Sequence, residues 1–423
     1  MLRVWVGERP AGLLDRHKNR GSAFTYADPS DEVDAISLTM PKRLASWTVD
    51  YGLAPIFDMN LPEGALRALL TAKFARAAGS FDDLDLLTVV GRTQIGRLRY
   101  TGANEDLGAE VPFQSVDEIL KARRGGGLFE HLMQTFAAFS GVSGVQPKVL
   151  IRGADDQGDW RRHNVRGATH IVKFWERDGE YQELAANEFF CMSAAKRIGL
   201  PTPKFQLSED GGALVVERFD RKDDGGYLGF EDFTVLNGVT AARKYEGGYE
   251  TKLFRRAAEF ITGERRGEAM RYLFRLFVLN CAVRNGDAHL KNFGVVYDDT
   301  RADARPAPAY DIVTTSTYLP TDQMALTLNG VPTWPDAKTL THLGQTRAGL
   351  TGPQVKQVFE ATADALAAVA SEAHGYFKDR NPEIGERIVA AWRDGVASSL
   401  GLAQHPFVTL NIAAVTAAPH PDP

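Results

Sequence analysis

The chain has 423 residues, which is too long for one simple core, so we expect two or three domains. Its 44% hydrophobic and 24% charged residues are typical of a globular protein, and its net charge of −5 argues against strong nucleic-acid binding by this chain alone. Its two cysteines, Cys191 and Cys281, exclude a disulfide framework and a cysteine-based zinc site. The sequence has no apolar run near the ~20 residues of a membrane span and no signal-peptide pattern at its start, so we expect a cytoplasmic protein.

The first hundred residues predict a small α/β unit. Residues 2–6 alternate like a strand, and a helix is expected over 61–78, because a proline stands near its first turn and a glycine follows its end. The apolar segment 86–98 resembles a further strand that is interrupted by two glycines. The segment 101–127 ends in a glycine-rich run, which indicates a domain boundary.

After this boundary the pattern changes from strands to helices. Strands are predicted at 149–151, 169–175 and 213–217. Helices are predicted at 182–198, 251–262, 267–283, 353–374 and 382–399. Strands followed by helices predict two lobes with a cleft between them. We therefore assign 1–125 to a small α/β domain, 126–235 to a sheet-containing lobe, 236–405 to a mainly helical lobe and 406–423 to a loosely held tail.

The most informative stretch is 285–292, which reads Asn-Gly-Asp-Ala-His-Leu-Lys-Asn. Asp287, Asn292 and the later Asp311 follow the order that a protein kinase uses, in which the first Asp accepts the hydroxyl proton and the other two residues hold Mg²⁺ against the ATP phosphates. A solvated polar loop is the alternative, but Asp311 recurs at the right place. His289 could touch a phosphate or orient Asp287, or it could be a structural histidine.

Lys173 lies on a predicted strand among apolar neighbours, and it is the candidate for binding the α- and β-phosphates. Glu188 is the only charge on the apolar face of helix 182–198, and an unpaired charge there would be costly. We therefore predict an ion pair between Lys173 and Glu188. The alternative is that Glu188 reaches water.

Two further segments are candidates for nucleotide binding. Glu217 and Phe219 follow an apolar strand at the position of a kinase hinge, where their backbone groups would hydrogen-bond adenine, although a plain strand exit fits as well. The segment 140–148 contains small residues through Gly144 and then Gln146 and Lys148. Small residues let backbone N–H groups approach phosphate closely, but alone this motif could equally be a tight turn.

As an ordered set, these motifs resemble the HipA family of bacterial toxin kinases over nearly the whole chain. The segments that carry the resemblance are 61–64, 90–92, 143–148, 169–173, 187–191, 216–221, 287–292 and 310–311. The resemblance implies an α+β fold, namely a divergent two-lobed protein-kinase-like fold preceded by a small α/β domain. The sheet-containing lobe would then be the kinase N-lobe and the helical lobe the kinase C-lobe.

The resemblance also implies a function. Such a protein would be an ATP- and Mg²⁺-dependent Ser/Thr protein kinase and the toxin of a type II toxin–antitoxin system. It would phosphorylate an aminoacyl-tRNA synthetase, stop translation and favour growth arrest or persistence. A small HipB-like helix-turn-helix antitoxin would bind both the toxin and operator DNA, so this chain would meet DNA only through its partner.

The family roles can be carried over to matching positions. Lys173 matches the phosphate-binding lysine, Glu217 and Phe219 match the hinge, Asp287 matches the catalytic Asp, and Asn292 and Asp311 match the metal ligands. The family also autophosphorylates a serine in the glycine-containing loop. Here the usual first serine position is Gly141, so the phosphosite falls on Ser143 or is absent.

Two other functions remain open from the sequence. A small-molecule phosphotransferase of the aminoglycoside or choline kinase type shares the Asp-x₄-Asn spacing, although loop 140–148 and the N-terminal unit argue against it. A catalytically weak co-repressor subunit acting at DNA is the non-enzymatic alternative, and the intact Lys173, Asp287, Asn292 and Asp311 argue against it.

Overall fold

The computed structural model describes most of the chain. The described residues are 1–30, 32–78, 81–108, 111–122, 127–144, 146–153, 167–175, 180–302 and 304–409. Most of the predicted boundary at 123–127 and of the predicted tail therefore lies outside the described residues. Among the helices in these ranges, none combines the length and the apolar composition that crossing a membrane requires.

The N-terminal part is built on an antiparallel sheet with the strand order β4-β3-β2-β1-β5. Its elements are strands β1 Leu2–Val6, β2 Arg9–His17, β3 Gly21–Tyr26, β4 Trp47–Val49 and β5 Leu98–Gly102, and helices α1 Pro55–Asp58, α2 Gly64–Ala78 and α3 Asp83–Val90. The predicted strand at 2–6 and the predicted helix ending at Ala78 are confirmed.

The predicted strand over 86–98 is wrong, because most of this segment belongs to helix α3 and the turn after it. The side chain of Asp82 accepts from the backbone N–H groups of Leu84 and Asp85, and Asp85 accepts in return from the backbone of Asp82. This reciprocal cap satisfies the first free N–H groups of the helix. A short apolar run fits a strand or a buried helix equally well, and here the cap favours the helix.

The central part contains an antiparallel sheet with the strand order β6-β7-β9-β8. Its elements are helices α4 Val116–Lys121, α5 Leu128–Phe136 and α6 Leu184–Arg197, and strands β6 Lys148–Ile151, β7 His170–Phe174, β8 Phe205–Leu207 and β9 Ala213–Glu217. The strands predicted at 149–151, 169–175 and 213–217 and the helix predicted at 182–198 are confirmed. Gly199 follows α6 with φ +72, a left-handed conformation that ends helices.

The C-terminal part is mainly helical and carries a small sheet with the strand order β10-β11-β12. Its elements are strands β10 Gly229–Asp232, β11 Gly294–Tyr297 and β12 Arg305–Pro306, and helices α7 Phe233–Leu236, α8 Arg256–Phe260, α9 Arg265–Ala282, α10 Ala337–Ala348, α11 Gly352–Phe377, α12 Pro382–Asp394 and α13 Pro406–Thr409. The helices predicted at 267–283 and 353–374 are confirmed as α9 and α11. The predicted segments 251–262 and 382–399 are helical but include the π-helical turns Glu250–Arg255 and Gly395–Ser399.

Two large hydrophobic cores organise the described residues. One surrounds α9 and takes in α6, α10, α11 and α12. The other fills the N-terminal part and also contains Val149, Leu150, Val172 and Val215 from the central sheet. Because the N-terminal unit and the central sheet share this core, residues of the N-terminal unit are held close to the cleft.

Candidate active site

A cleft of about 860 Å³ opens between the central sheet and the helical part. The residues singled out from the sequence that line it are Ser143, Gly144, Gln146, Lys148, Lys173, Glu188, Glu217, Phe219, Asp287, His289 and Asp311. Asn292 joins this group through a side-chain contact with Asp311. The fold therefore gathers the candidate residues from distant parts of the sequence into one site.

The loop that carries Asp287 is pinned to α9 and is tightly packed at its glycine. The side chain of Asn285 donates to Oδ1 of Asn280 at 2.7 Å and accepts from the backbone N–H of Asp287 at 3.2 Å. A Cβ on Gly286 would lie 2.2 Å from a carboxylate oxygen of Asp322, so a larger residue would displace the loop. Asp287 projects from this support with 54% of its side chain exposed, which leaves its carboxylate accessible.

Lys173 is the centre of the polar contacts in the cleft. Its Nζ lies 2.6 Å from Oε1 of Glu188 and 2.5 Å from Oδ1 of Asp311. The amide of Asn292 donates to the other oxygen of Asp311 at 3.0 Å. The predicted ion pair of Lys173 and Glu188 is confirmed, and the alternative that Glu188 reaches water is wrong because its side chain is only 2% exposed.

Burial and charge act in opposite directions on the pKa values of this cluster. Burial alone would lower the pKa of Lys173, but Asp311 and Glu188 outweigh it and raise the pKa above its ordinary value. Burial alone would raise the pKa of Asp311, but the ammonium groups of Lys173 and Lys148 hold it well below the usual range. Burial lowers the pKa of Lys148 to about 8. Lys173 and Asp311 are therefore both charged at neutral pH.

Asp287 accepts a hydrogen bond from a residue that the sequence analysis did not select. The hydroxyl of Tyr245 donates to Oδ1 of Asp287 at 2.7 Å, and the Tyr245 ring packs edge-on against His289. The residues packed around the cleft partly desolvate Asp287, which raises its pKa although the side chain is half exposed, and the Tyr245 hydrogen bond opposes that effect. The geometry shows that this carboxylate can accept from a hydroxyl group, as a general base must.

His289 does not make the direct contact with Asp287 that one prediction for it required. Its Nε2 lies 4.0 Å from Oδ1 of Asp287, which is beyond hydrogen-bond range. Within the described residues its Nδ1 is buried without a hydrogen-bond partner, so it is not a fully satisfied structural histidine either. Burial lowers its pKa to about 3, which makes the imidazole neutral at physiological pH. A role toward phosphate stays a prediction.

The pair Asp311 and Asn292 fits the ligand preference of Mg²⁺. This ion takes oxygen ligands and is commonly held by one or two carboxylates together with substrate phosphates. Asp311 supplies a carboxylate, and the NH2 group of Asn292 donates to it at 3.0 Å. The side-chain oxygen of Asn292 accepts from the backbone N–H of His289 at 3.1 Å, so Asn292 would have to turn this oxygen toward the cleft to ligate the ion. Within the described ranges no three or more His, Cys, Asp or Glu side chains cluster in a way that could hold a metal by themselves, so the remaining ligands would have to come from the nucleotide and water.

In loop 140–148, whose residue 145 lies outside the described residues, two side chains donate to backbone carbonyls. Nζ of Lys148 donates to the backbone carbonyl of Ser143 at 3.2 Å, and Gln146 donates to the carbonyl of Phe174 at 3.2 Å. Gly144 has φ +119, and a Cβ there would lie 2.0 Å from Nζ of Lys148. Ser140 is buried and bonded to backbone, so of the two serines only Ser143 reaches the cleft.

The predicted hinge residues Glu217 and Phe219 both line the cleft at the exit of β9. Between them in the sequence, the buried Arg218 forms a bidentate ion pair with Asp220, donating from Nε at 3.0 Å and from Nη2 at 2.6 Å. The same Asp220 carboxylate accepts from the backbone N–H of Gly96 at 2.6 Å, which fastens this exit to the N-terminal unit. Adenine binding by the hinge stays a prediction.

Glu63 and Lys244 were also missed by the sequence analysis. Glu63 accepts from the hydroxyl of Ser143 and pairs with Nζ of Lys244 at 2.9 Å. The segment 61–64 was part of the family resemblance, which is the one signal that pointed toward Glu63. Nothing local indicated Lys244 or Tyr245, because their roles depend on contacts across the fold.

The fold and the site together define a kinase-like α+β protein, with a lysine from the sheet facing an Asp–Asn–Asp set from the helical part across one cleft. Two family models cover most of the sequence: that of the HipA N-terminal domain matches residues 2–101, and that of the HipA-like C-terminal domain matches residues 140–370. The chain belongs to the HipA family. The predicted fold class and the predicted family are therefore confirmed.

Curated relatives and a solved structure are similar to this chain over most of its length. "Putative kinase Y4dM" of Sinorhizobium fredii is 27% identical over 357 residues, which cover 80% of this chain and 76% of that protein. "Putative kinase Y4mE" of the same organism is 30% identical over 345 residues, which cover 75% and 78%. The HipA chain in the Shewanella oneidensis MR-1 complex of HipA, HipB and operator DNA matches with a TM-score of 0.68 at 20% identity, covering 97% of this chain and 100% of that chain.

Proposed function

We propose that this chain is a Ser/Thr protein kinase that transfers the γ-phosphate of ATP to a protein hydroxyl and acts as the toxin of a type II toxin–antitoxin system. The observation that carries the proposal is the contact of Lys173 with both Glu188 and Asp311, with Asn292 on Asp311 and Asp287 in the same cleft. Two relatives that carry kinase names support the catalytic part of the proposal.

Each residue of the cluster has a role in phosphoryl transfer. Lys173, oriented by Glu188, binds the α- and β-phosphates of ATP, and Asp311 and Asn292 are the residues that would hold Mg²⁺. A bound Mg²⁺ would supply positive charge against the developing negative charge of the phosphates. The substrate hydroxyl oxygen bonds to the γ-phosphorus while the bond from that phosphorus to the ADP oxygen breaks, and Asp287 takes the hydroxyl proton.

The partner side of the proposal comes from the family. In the Shewanella oneidensis complex, HipA is bound with HipB and operator DNA. By analogy this chain binds a small HipB-like helix-turn-helix antitoxin and reaches DNA only through it. An aminoacyl-tRNA synthetase is the proposed protein substrate, with growth arrest and persistence as the consequences.

The test compares Asp287→Ala with wild type for Mg²⁺-dependent phosphate transfer from ATP in vitro and for growth arrest after induction. Loss of a general base typically costs ~10²–10⁴ in rate, so the variant should be nearly inactive with an unchanged melting temperature. Asp117→Ala, an exposed residue outside the cleft, is the matched control. Near wild-type transfer by Asp287→Ala would overturn the assignment, and transfer to small alcohols but to no protein would point to a small-molecule phosphotransferase.

A further inference from the structure

One segment of the N-terminal unit, residues 58–63, touches the helical part of the molecule at several points beside the cleft. The carboxylate of Asp58 accepts from the backbone N–H of Ala241 at 2.6 Å. The backbone carbonyl of Met59 accepts from Nζ of Lys291 at 2.6 Å. We call residues 58–63 the bridging segment, because it connects the N-terminal unit to the part of the chain that carries Asp287.

Glu63 ends the bridging segment and uses its two carboxylate oxygens on two different parts of the site. Oε1 accepts from the hydroxyl of Ser143 in loop 140–148, and Oε2 pairs with Nζ of Lys244 at 2.9 Å. The side chains of Glu63 and Lys244 are 23% and 10% exposed, so water screens this pair only partly. Burial opposes the ionised form of Glu63, but the hydrogen bonds from Ser143 and Lys244 outweigh it and hold its pKa below the ordinary value.

Each partner of Glu63 is next to a residue with an assigned catalytic or nucleotide-binding role. The backbone carbonyl of Ser143 accepts from Lys148, which lines the cleft. Lys244 precedes Tyr245, whose hydroxyl donates to Asp287. A single carboxylate from the N-terminal unit therefore connects the loop on one side of the cleft with the base on the other.

We propose that Glu63 is a positioning residue that anchors Ser143, and with it the described part of loop 140–148, beside the nucleotide. This inference rests on the proposed kinase function and deepens it, because it makes the N-terminal unit part of the nucleotide site. Glu63 does not itself line the cleft or touch the reacting atoms. Its effect reaches the nucleotide through Ser143, so losing Glu63 should weaken binding of MgATP more than it slows the chemical step.

The experiment measures MgATP binding by calorimetry on the full chain, together with amide hydrogen exchange of residues 140–148 with and without MgATP. Losing a hydrogen bond to a charged group shifts the equilibrium between an anchored and a released loop by roughly 10- to 100-fold. Because MgATP would then bind only the anchored fraction, Glu63→Ala should weaken MgATP binding by up to about that factor. Loop exchange should be faster in the variant, and kcat should change less than KM for ATP. Glu105→Gln is the control, since this exposed residue of the same unit pairs with Arg92 away from the cleft.

A double-mutant cycle with Ser143→Ala shows whether Glu63 acts through the loop. If it does, the double variant should bind MgATP no more weakly than Glu63→Ala alone. Additive losses would overturn the proposal, because they would mean that the two residues act independently. If Glu63→Ala fails to fold, Ser143→Ala still carries the test, since it removes the same hydrogen bond without touching the bridging segment.

The outcomes also separate this inference from the kinase proposal. Wild-type protein that binds no MgATP would refute the proposed function itself. Wild-type protein that binds MgATP, combined with unchanged affinity and unchanged loop exchange in Glu63→Ala, would overturn only the role of Glu63.

Discussion

Replacing Lys173 by methionine should destabilise the fold as well as prevent phosphoryl transfer. The ammonium of Lys173 is the partner of Glu188, whose side chain is 2% exposed, and of Asp311, whose side chain is 36% exposed. Methionine fills a similar volume but leaves the Glu188 carboxylate buried without its cation. The variant therefore separates two roles of Lys173, namely binding phosphate and neutralising a buried acid.

Most of the expected loss in the free energy of unfolding comes from the buried carboxylate of Glu188. Removing one partner of a buried ion pair typically costs about 3–5 kcal/mol, because the remaining charge stays buried and uncompensated. Asp311 adds little to this cost, since it is partly exposed and keeps its contact with Asn292. We expect a loss of about 3 kcal/mol or more in the free energy of unfolding for Lys173→Met.

The loss of stability caused by Lys173→Met should increase with pH. Burial raises the pKa of Glu188, and without Lys173 it should rise further above the value of about 4.3 for an unfolded Glu. The folded variant then binds a proton that the unfolded chain releases, so its stability falls as pH rises above about 4.3. The difference between Lys173→Met and wild type should thus be smaller at pH 5 than at pH 7.5.

The assay is urea denaturation followed by fluorescence at both pH values, together with phosphate transfer. The double variant Lys173→Met/Glu188→Met should recover most of the lost stability, because replacing a buried pair by apolar residues is often neutral, yet it should remain inactive. Lys356→Met, which breaks an exposed pair with Glu360, should cost about 0.5 kcal/mol or less. Unchanged stability in Lys173→Met, or a double variant less stable than the single one, would refute the reasoning.

Three further predictions concern regulation, nucleotide binding and DNA. A phosphate on Ser143 would place a charge of about −1.5 to −2 beside Glu63, so the loop should open and activity should decay when wild type is incubated with MgATP. At saturating MgATP, where its weaker nucleotide binding does not limit the rate, Ser143→Ala should show no such decay, whereas Ser143→Asp should be weak from the start. Phosphate found by mass spectrometry on Ser140, or nowhere, would contradict this prediction. Burial lowers the pKa of Lys148 to about 8, and the negative charge of bound nucleotide phosphates should raise it again. MgATP binding should therefore be coupled to proton uptake at pH 8.5, where free Lys148 is partly neutral, but not at pH 6.5, where it is already charged. Calorimetry in buffers of different ionisation enthalpy measures this uptake. Lys148→Arg should abolish that uptake. Because its net charge is −5, the purified chain should not shift operator DNA at physiological salt unless the antitoxin is co-expressed. Tight, sequence-specific DNA binding by the chain alone would disprove the prediction that DNA is bound only through the antitoxin.

Local signals in the sequence were sufficient to predict elements that have a clear hydrophobic pattern and residues that mark their ends. Helix α6 has an apolar face and a glycine that ends it, and strand β9 is a short apolar run of β-forming residues, so both were predicted within two residues of their bounds. The error at 86–98 arose where periodicity was ambiguous and a capping interaction decided for helix. The pair of Lys173 and Glu188 was predictable because a lone charge on an apolar helix face needs a partner.

The sequence by itself also determined the order and spacing of Asp287, Asn292 and Asp311, and through the ordered motifs it determined the family. Only the tertiary structure brought Lys173 to Asp311 across 138 positions and Ser143 to Glu63 across 80. No period along the chain encodes such contacts, because they depend on how the lobes and the N-terminal unit pack around shared cores. The chemistry could therefore be read from the residues, whereas the positioning of loop 140–148 by the N-terminal unit could be inferred only from the fold.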